Sequence, residues 1–350
     1  MMQPVITALS AYVPPIKVLN DPPKIEDANV MATLNGWDAW IASWRATCAF
    51  DPATTACANS EARQSDRSWR IPVECDVDLS GLAVRVAQTI FASRHSTAAP
   101  VDIIMFCHSS VDQHISTTTA GRLANIAGRS CFSFSVSQQY SASAFTALRL
   151  AQDLLIAEPH VHTVLIVAAE KWAPPFSRCR KLGPPLGDAA AALLLERPTA
   201  TTRGFRLVDA HTCHCPISTR GAPHRHAHPD FDQLHALLQM TDTLLAKHAI
   251  LPCEVTAIGP ALEPALERTL RQWLGIATLT PRYPHDAHLG AAAPIERLAD
   301  ALEASALPSQ RAVLIWDIGL YGYVGCALFD AHSAHGTPIL ARASDWSTRW

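Results

Sequence analysis

Residues 185–196 read PLGDAAAALLLE: turn-forming residues, an aspartate, and then a run of alanines and leucines that ends at Glu196. No charge interrupts the run between Asp188 and Glu196. A short apolar run bounded by turn residues is typical of a β-strand inside a sheet. The stretch therefore predicts a buried strand that starts near residue 188.

Strand-like runs alternate with helical patterns along the whole chain. Further strand-like runs lie at 101–110, 162–170, 205–212, 254–260 and 312–329, and helical patterns lie at 141–155, 230–249 and 261–275. This alternation predicts an α/β protein in which helices cover both faces of parallel or mixed sheets. Each half of the chain has a strand–helix–strand progression that ends in a strand rich in glycine and alanine, which suggests a duplication.

Composition limits the class of protein. The 350 residues are 49% hydrophobic and 17% charged, with a net charge of -3, so we expect large cores and neither nucleic-acid nor anionic-membrane binding. No apolar stretch reaches the roughly 18–20 residues of a membrane span, and the N-terminus lacks the basic segment of a signal peptide. The ten cysteines have no disulfide-framework spacing. We therefore expect reduced thiols in a cytoplasmic protein.

Residues 134–155 read FSVSQQYSASAFTALRLAQDLL, a polar lead-in followed by an apolar helix. Apolar residues on every face predict a helix that is buried all round. Its N-terminus would point free N–H groups and a positive dipole end into the protein interior. Ser141 lies at this point, where a hydroxyl can be a helix cap or a nucleophile.

The order of the motifs resembles that of the thiolase superfamily. The stretches that carry the resemblance are YVPP, EARQSDRSW, VDIIMFCHSS, the helix after Ser141, LIVAAEKW, PLGDAAAALLLE, HLGAAAPIERLADAL and DIGLYGYVGCALF. The ketoacyl-ACP synthase III group is the most similar branch, and PLGDAAAALLLE resembles its GDGAGA motif. The resemblance implies a five-layered αβαβα fold of two duplicated, intergrown halves, residues 1–200 with the nucleophile and 201–350 with the histidine and aspartate. It also implies a homodimer.

Three positions depart from the family pattern. Ser141 stands where the family carries a nucleophilic cysteine, and Pro260 stands near the position of the catalytic histidine. The asparagine of the YGN motif is also missing, and His288 lies beside its position. In its HLGA stretch the chain resembles divergent members from secondary metabolism, which use a nucleophile, a histidine and an aspartate to transfer acyl groups.

The resemblance implies a Ser–His–Asp site. A serine needs a general base, and His288 is the residue that the motif places for this role. Asp317 lies in an apolar strand, where an unpaired carboxylate is costly, and would orient the His288 ring. The N–H groups of Ser141 and Gly319 would form an oxyanion hole. The predicted pocket residues are Gln139, Tyr140, His211 and His214.

Histidines and cysteines also cluster in the second half, at His211, Cys213, His214, Cys215, His224, His226 and His228. One residue separates Cys213 from Cys215, whereas zinc fingers have at least two between their paired cysteines. The spacing therefore favours a histidine-rich loop over a zinc site, and we expect no metal.

The sequence predicts an acyltransferase of specialised metabolism. An acyl thioester on CoA or on the phosphopantetheine of an acyl carrier protein would acylate Ser141, and a hydroxyl, amine or thiol acceptor would then take the acyl group. CoA or the carrier protein would act as substrate, with no permanently bound cofactor. The alternatives are a condensing enzyme that forms a C–C bond and a catalytically silent subunit, in which Ser141 is only a helix cap.

Overall fold

The structure, a computed structural model, describes residues 3–20, 68–95, 98–111, 117–128, 131–172, 178, 184–215, 231–260, 268, 271–279, 285–304, 307, 311–319, 322–331 and 336–341. The first half contains β1 (Val5–Tyr12), β2 (Ile16–Asn20), β3 (Ser68–Pro72), α1 (Leu79–Ser93), β4 (Ile103–His108), α2 (Thr119–Ile126), β5 (Phe132–Ser137), α3 (Ala142–Ala157), β6 (Thr163–Glu170) and β7 (Ala189–Glu196). The second half contains β8 (Phe205–His214), α4 (Phe231–Lys247), β9 (Val255–Ile258), β10 (Ala277–Leu279), the 3-10 turn Gly290–Ala292, α5 (Ala293–Glu303), β11 (Ala312–Ile318), β12 (Tyr323–Asp330) and β13 (Ile339–Leu340).

The two halves repeat one strand order. The first half runs β5-β4-β6-β7-β1 and the second runs β10-β9-β11-β12-β8. Numbered within its half, each is third, second, fourth, fifth and first. In both halves the second strand pairs in parallel with the third and the fourth, and the remaining pairs are antiparallel. The halves join where β1 pairs with β8. The duplication suggested by the sequence is therefore present in the strand topology.

Three hydrophobic clusters show how the layers stack. One cluster packs α1 and α2 against the first-half sheet, and another packs α4 against the second-half sheet. The third cluster contains side chains of α3 and α5 together with strands of both halves. The order is therefore helix, sheet, helix, sheet, helix, and the predicted αβαβα fold class is confirmed.

Helix α3 lies in the central layer, but it is buried all round only in its first turns. Residues Ala142–Phe145 are buried, whereas Asp153 and Ile156 are exposed near the C-terminal end. The prediction of a helix buried on every face is therefore correct for the end that carries Ser141 and wrong for the other end.

The duplication places two helix N-termini in equivalent positions. Helix α3 follows the third strand of its half and precedes the fourth, and α5 does the same in the second half. Ser141 directly precedes α3, and the Gly290–Ala292 turn directly precedes α5. Both helices belong to the central layer. We therefore expect a site formed by both halves at these two N-termini.

Strand β5, the helix predicted at 261–275 and the absence of a predicted membrane span are compared with the structure in turn. The lead-in that we took as polar includes strand β5, because FSFSVS alternates apolar and polar residues with the period of a strand. Most of the helix predicted at 261–275 lies outside the described residues. Within the described part of the chain, no helix is long and apolar enough to cross a membrane.

Candidate active site

Ser141 is completely buried at the start of α3, and it does not cap the helix. Its backbone is already helical, with φ -59° and ψ -26°, and its side chain accepts no capping hydrogen bond. Within the described residues, Oγ has no hydrogen-bond partner. A buried hydroxyl without a partner is rare in folded proteins and calls for an explanation. The hydroxyl therefore makes no capping hydrogen bond, and its role as a nucleophile stays a prediction.

The turn before Ser141 has an unusual backbone. Gln138 and Tyr140 have positive φ angles of 66° and 48°, which cost energy for residues with a side chain. The Tyr140 N–H donates to Oγ of Ser109 at 3.0 Å, and the Tyr140 ring stacks on Trp172 with the ring centroids 6.1 Å apart. Tertiary contacts thus hold a strained turn that directs Ser141 into the interior.

Gln139 points back onto its own helix. Its side-chain Oε1 accepts a hydrogen bond from Oγ1 of Thr146 at 2.6 Å. The Gln139 side chain therefore stabilises the first turns of α3, whereas the Tyr140 ring packs on Trp172. The pocket-lining role that we predicted for both residues stays a prediction.

The backbone of His288 is held by the PLGD stretch. The His288 N–H donates to the Pro185 carbonyl at 2.8 Å, and the His288 carbonyl accepts from Gly187 at 3.0 Å. A Cβ on Gly187 would lie 2.9 Å from Cβ of Ala287, so this close approach requires glycine. The PLGD stretch thus positions the backbone of His288.

A neighbouring amide fixes the tautomer of the His288 ring. The ring is nearly buried, and its Nδ1 accepts a hydrogen bond from the Gly290 N–H at 2.9 Å. An accepting Nδ1 carries no proton, so in the neutral ring the proton is on Nε2. His288 is therefore arranged to donate a hydrogen bond from Nε2. The predicted role as general base through Nε2 would require the Gly290 hydrogen bond to break.

Asp317 lies beside His288 and is also paired elsewhere. Its Oδ1 is 4.0 Å from Nε2 of His288, and its Oδ2 accepts from Nη1 of Arg297 at 2.6 Å. Its side chain is fully buried, and Oδ1 has no hydrogen-bond partner within the described residues. The structure thus brings the two predicted residues together, at a separation longer than a hydrogen bond.

Asp317 faces the helix that carries Ser141. In the β11–β12 pair Asp317 is directly opposite Gly325, so their side-chain directions share one face of the sheet. A Cβ on Gly325 would meet the Phe145 ring, at 2.2 Å from Cδ2. Ser141 and Phe145 are four residues apart in the chain, and positions with this spacing share one face of a helix. The side chains of Ser141 and Asp317 therefore point into the same interface.

Gly319 is close to the turn that precedes Ser141, but its amide is already bonded. A Cβ on Gly319 would lie 3.0 Å from the Gln139 carbonyl oxygen. The Gly319 N–H donates to the Tyr323 carbonyl at 2.7 Å across the turn between β11 and β12. This bond occupies the amide that we predicted as an oxyanion donor, so that role would require the bond to be shared or broken.

The two predicted pocket histidines lie on opposite faces of β8. Thr212 contacts Thr146 of α3, with 3.2 Å between their hydroxyl oxygens, so the α3 face of β8 carries Thr212. Strand alternation places His214 on that face and His211 on the other. His211 instead approaches Asp209, with 3.4 Å between Nε2 and Oδ2. His211 thus lies on the face of β8 away from α3, and its pocket-lining role stays a prediction, whereas His214 lies beside Tyr323.

The cysteine–histidine cluster is only partly within the described residues. Sγ of Cys213 and Sγ of Cys215 are 3.9 Å apart, and His224, His226 and His228 lie outside the described residues. No group of three or more histidines, cysteines or acidic residues in the described part of the chain is arranged to hold a metal ion.

Two buried charged residues near the site were not predicted from the sequence. Arg297 pairs with Asp317, and Glu170, at the end of β6, accepts hydrogen bonds from backbone amides around the site. For Glu170 the usable signal was the one applied to Asp317, a charged residue inside or at the end of an apolar stretch, whereas Arg297 stands beside Glu296 and is not marked in this way.

Comparison with known proteins supports the fold. No protein-family model matches the chain, and no curated protein matches it. Among solved structures, the chain is similar to the acyltransferase ChlB3, with a TM-score of 0.66, 17% identity, and 97% of this chain and 99% of that chain covered. It is similar to 3-oxoacyl-(acyl carrier protein) synthase III, FabH, from Pseudomonas aeruginosa, with a TM-score of 0.64, 16% identity and 97% and 99% coverage.

A third similar structure is the tetronic acid condensing enzyme AbyA1, with a TM-score of 0.61, 14% identity, and 94% of this chain and 100% of that chain covered. The chain has the thiolase-like fold of the ketoacyl synthase III group. The resemblance drawn from the sequence motifs is thereby confirmed at the level of the fold. The similar structures share it with the chain over nearly its whole length.

Proposed function

We propose that the protein is an acyltransferase that carries the acyl group on Ser141. The observation that carries the proposal is the Ser141 hydroxyl, completely buried and without a hydrogen-bond partner in the described structure, at the N-terminus of α3. The similar structures include an acyltransferase, a 3-oxoacyl-(acyl carrier protein) synthase III and a tetronic acid condensing enzyme, which agrees with this chemistry. The donor is an acyl thioester of CoA or of an acyl carrier protein.

In the first step Oγ of Ser141 attacks the thioester carbonyl carbon, and the C–S bond breaks. The Ser141 proton moves to the Asp317 carboxylate of the His288–Asp317 pair and then to the departing thiolate, which leaves as a thiol. In the second step an acceptor hydroxyl, amine or thiol attacks the acyl-Ser141 ester. Its proton passes through the same pair to Oγ and restores the enzyme.

The tautomer of His288 determines the role of each residue in the His288–Asp317 pair. Because Nε2 carries the proton, it donates to the carbonyl oxygen, which gains negative charge as Oγ attacks. The lone pair that faces the Ser141 side of the interface is then that of Asp317 Oδ1. The proposal thus reverses the roles that the sequence suggested for the two residues.

C–C condensation is the second candidate. It is favoured by the donor role of His288, because the enolate of a malonyl thioester needs hydrogen-bond donors at its oxygen. Incubation with acyl-CoAs, malonyl-CoA and a panel of hydroxyl and amine acceptors separates the two candidates. Transfer gives an ester or amide without carbon dioxide, whereas condensation releases carbon dioxide. Activity that requires a second, co-expressed homologue would favour the silent-subunit alternative.

We further propose a homodimer that forms through β5. This strand ends the sheet and pairs with β4 alone among the described strands. An open strand edge exposes unpaired backbone groups and invites pairing with another chain. Phe132, at the start of β5, is 66% exposed, which is unusual for a phenylalanine and is consistent with a contact surface.

A further inference from the structure

Glu170 is a completely buried carboxylate at the end of β6, and backbone amides surround it. Its Oε1 accepts from the N–H of Ser109 at 3.0 Å and of Ala291 at 3.1 Å. Its Oε2 accepts from Ser109 at 3.1 Å and from Ser110 at 2.7 Å. One side chain therefore joins the loop after β4, in the first half, to the turn before α5, in the second half.

The two segments that Glu170 joins are hydrogen-bonded to residues of the candidate site. Oγ of Ser109 accepts from the Tyr140 N–H at 3.0 Å, and Tyr140 is the strained residue that precedes Ser141. On the other side, Ala291 follows Gly290, whose N–H donates to Nδ1 of His288. The carboxylate thus lies between the segment that aims the nucleophile and the amide that sets the histidine tautomer.

Gly290 packs directly against the side chain of Glu170. Its φ is +55°, and a Cβ at this position would lie 2.5 Å from Cγ of Glu170. Both the backbone conformation and the close approach require glycine. The HLGA stretch therefore has a glycine where the turn packs directly on the buried side chain.

A carboxylate at this position is costly, so its retention needs a reason. Burial raises the pKa of Glu170, and the backbone N–H donors of Ser110, Ala291 and Ser109 oppose that rise. An apolar side chain would avoid the desolvation cost, but it could not accept hydrogen bonds from three amides. A glutamine would place an NH₂ donor against amides that are also donors.

We propose that Glu170 is a positioning residue that holds the Ser109–Tyr140 segment and the Gly290–Ala291 turn in the relative placement that aligns Ser141 with His288. The expected effect on acylation rests on the proposed function, whereas the expected effect on the placement of the two segments does not. A misplacement of reacting groups by about 1 Å can cost about 100-fold in rate. We expect a loss of that order when the link is removed.

The test compares Glu170→Gln with Glu170→Asp and with Glu196→Gln as the matched control. Glu196 is also a strand-end glutamate, but it pairs with Thr163 at the opposite end of β6. Two readouts are used: the rate of acyl-Ser141 formation with acyl-CoA, and the ¹⁵N signals of His288, identified by their loss in His288→Gln. The melting temperature of each variant is measured alongside.

In the wild type, the His288 signals should show an unprotonated Nδ1 and a protonated Nε2. Glu170→Gln should move them toward a mixture of tautomers and slow acylation by about 100-fold, and Glu196→Gln should change neither. If Glu170→Gln does not fold, Glu170→Asp, which keeps the charge but is one methylene shorter, takes its place with the same expected direction. A melting temperature that falls while the His288 signals and the acylation rate stay unchanged would overturn the proposal.

Failure of the two proposals can be told apart. If the wild type forms no acyl-Ser141 but Glu170→Gln still moves the His288 signals, the acyltransferase proposal fails and the positioning role stands. If acylation occurs and is unaffected by Glu170→Gln, the positioning role fails and the acyltransferase proposal stands.

Discussion

Oδ1 of Asp317 lies 4.0 Å from Nε2 of His288, while Nδ1 of the same ring accepts the Gly290 N–H at 2.9 Å. The ring therefore faces the carboxylate with the nitrogen that carries the proton. In a catalytic triad the carboxylate instead binds one ring nitrogen and leaves the lone pair of the other to the nucleophile. His288 is therefore arranged as a hydrogen-bond donor and not as a general base. Mutation of His288 can test this role.

His288→Gln and His288→Ala should differ in activity. The amide NH₂ of a glutamine can replace the Nε2 donor but cannot act as a base. We expect His288→Ala to lower the acylation rate by about 100-fold or more, the typical cost of one oxyanion donor, and His288→Gln to retain most of the activity. Rates from time-resolved intact mass measure both. Equal, complete loss in the two variants would show that His288 acts as a base.

Arg297→Met should destabilise the protein more than Asp317→Asn. The change to methionine leaves the Asp317 carboxylate buried without its partner, which typically costs about 3–5 kcal/mol. Asparagine keeps an acceptor oxygen for Arg297 and removes the charge, so folding should be less affected while acylation falls. Chemical denaturation and acylation rates give the two quantities. A normal acylation rate in Asp317→Asn would exclude Asp317 from the proton path.

Asp209 should stabilise the fold in a pH-dependent way. Burial alone would raise its pKa, but hydrogen bonds from Lys247 and His248 and the charge of His211 lower the pKa well below the usual range. Since the pKa is lower in the folded state, the stabilisation is present above the unfolded pKa of about 3.9 and is lost as the pH falls toward the folded pKa.

Asp209→Asn should therefore lower the free energy of unfolding at pH 7 by about 2 kcal/mol, and the difference from wild type should shrink as the pH falls below about 4. Arg149 pairs with both Asp209 and Asp153. Asp153→Asn is the control, because Asp153 is 55% exposed, and it should change little. Urea denaturation at several pH values measures both. A difference that does not vary with pH would show that the charge of Asp209 is unimportant.

Disruption of the β5 edge should produce a monomer. Ser135→Pro removes a backbone donor from the middle of β5, and Phe132→Asp places a charge on the exposed end of the strand. The wild type should have the mass of a dimer in light scattering, and both variants should shift toward the monomer. Ile339→Asp, an exposed residue on β13, serves as the control. A monomeric wild type would contradict the homodimer prediction.

Much of the fold could be predicted because apolar runs reflect burial directly. The run at 189–196 is β7, and those near Glu170 and Asp317 are β6 and β11, as their composition predicts. Strand β5 was missed because its serines, on an edge strand, resemble a loop. Asp317 could be predicted to be paired because a charge stands out in an apolar strand.

The details of the site could not be predicted in the same way. The His288 tautomer depends on the orientation of one backbone amide, at Gly290, which no residue pattern specifies. Arg297 is the partner of Asp317 only because α5 packs beside β11. The face of β8 that His211 occupies could not be predicted, because it is set by the contact between Thr212 and Thr146.

The central claim is that Ser141 carries the acyl group, and intact-protein mass spectrometry after incubation with a panel of acyl-CoAs tests it most directly. The wild type should gain the mass of one acyl group, and peptide mapping should place it on Ser141. Ser141→Ala should fold normally and gain no mass, while Ser141→Cys should be acylated, because a helix N-terminus favours the thiolate. An adduct that forms at the wild-type rate in Ser141→Ala, or that maps to another residue, would contradict the account.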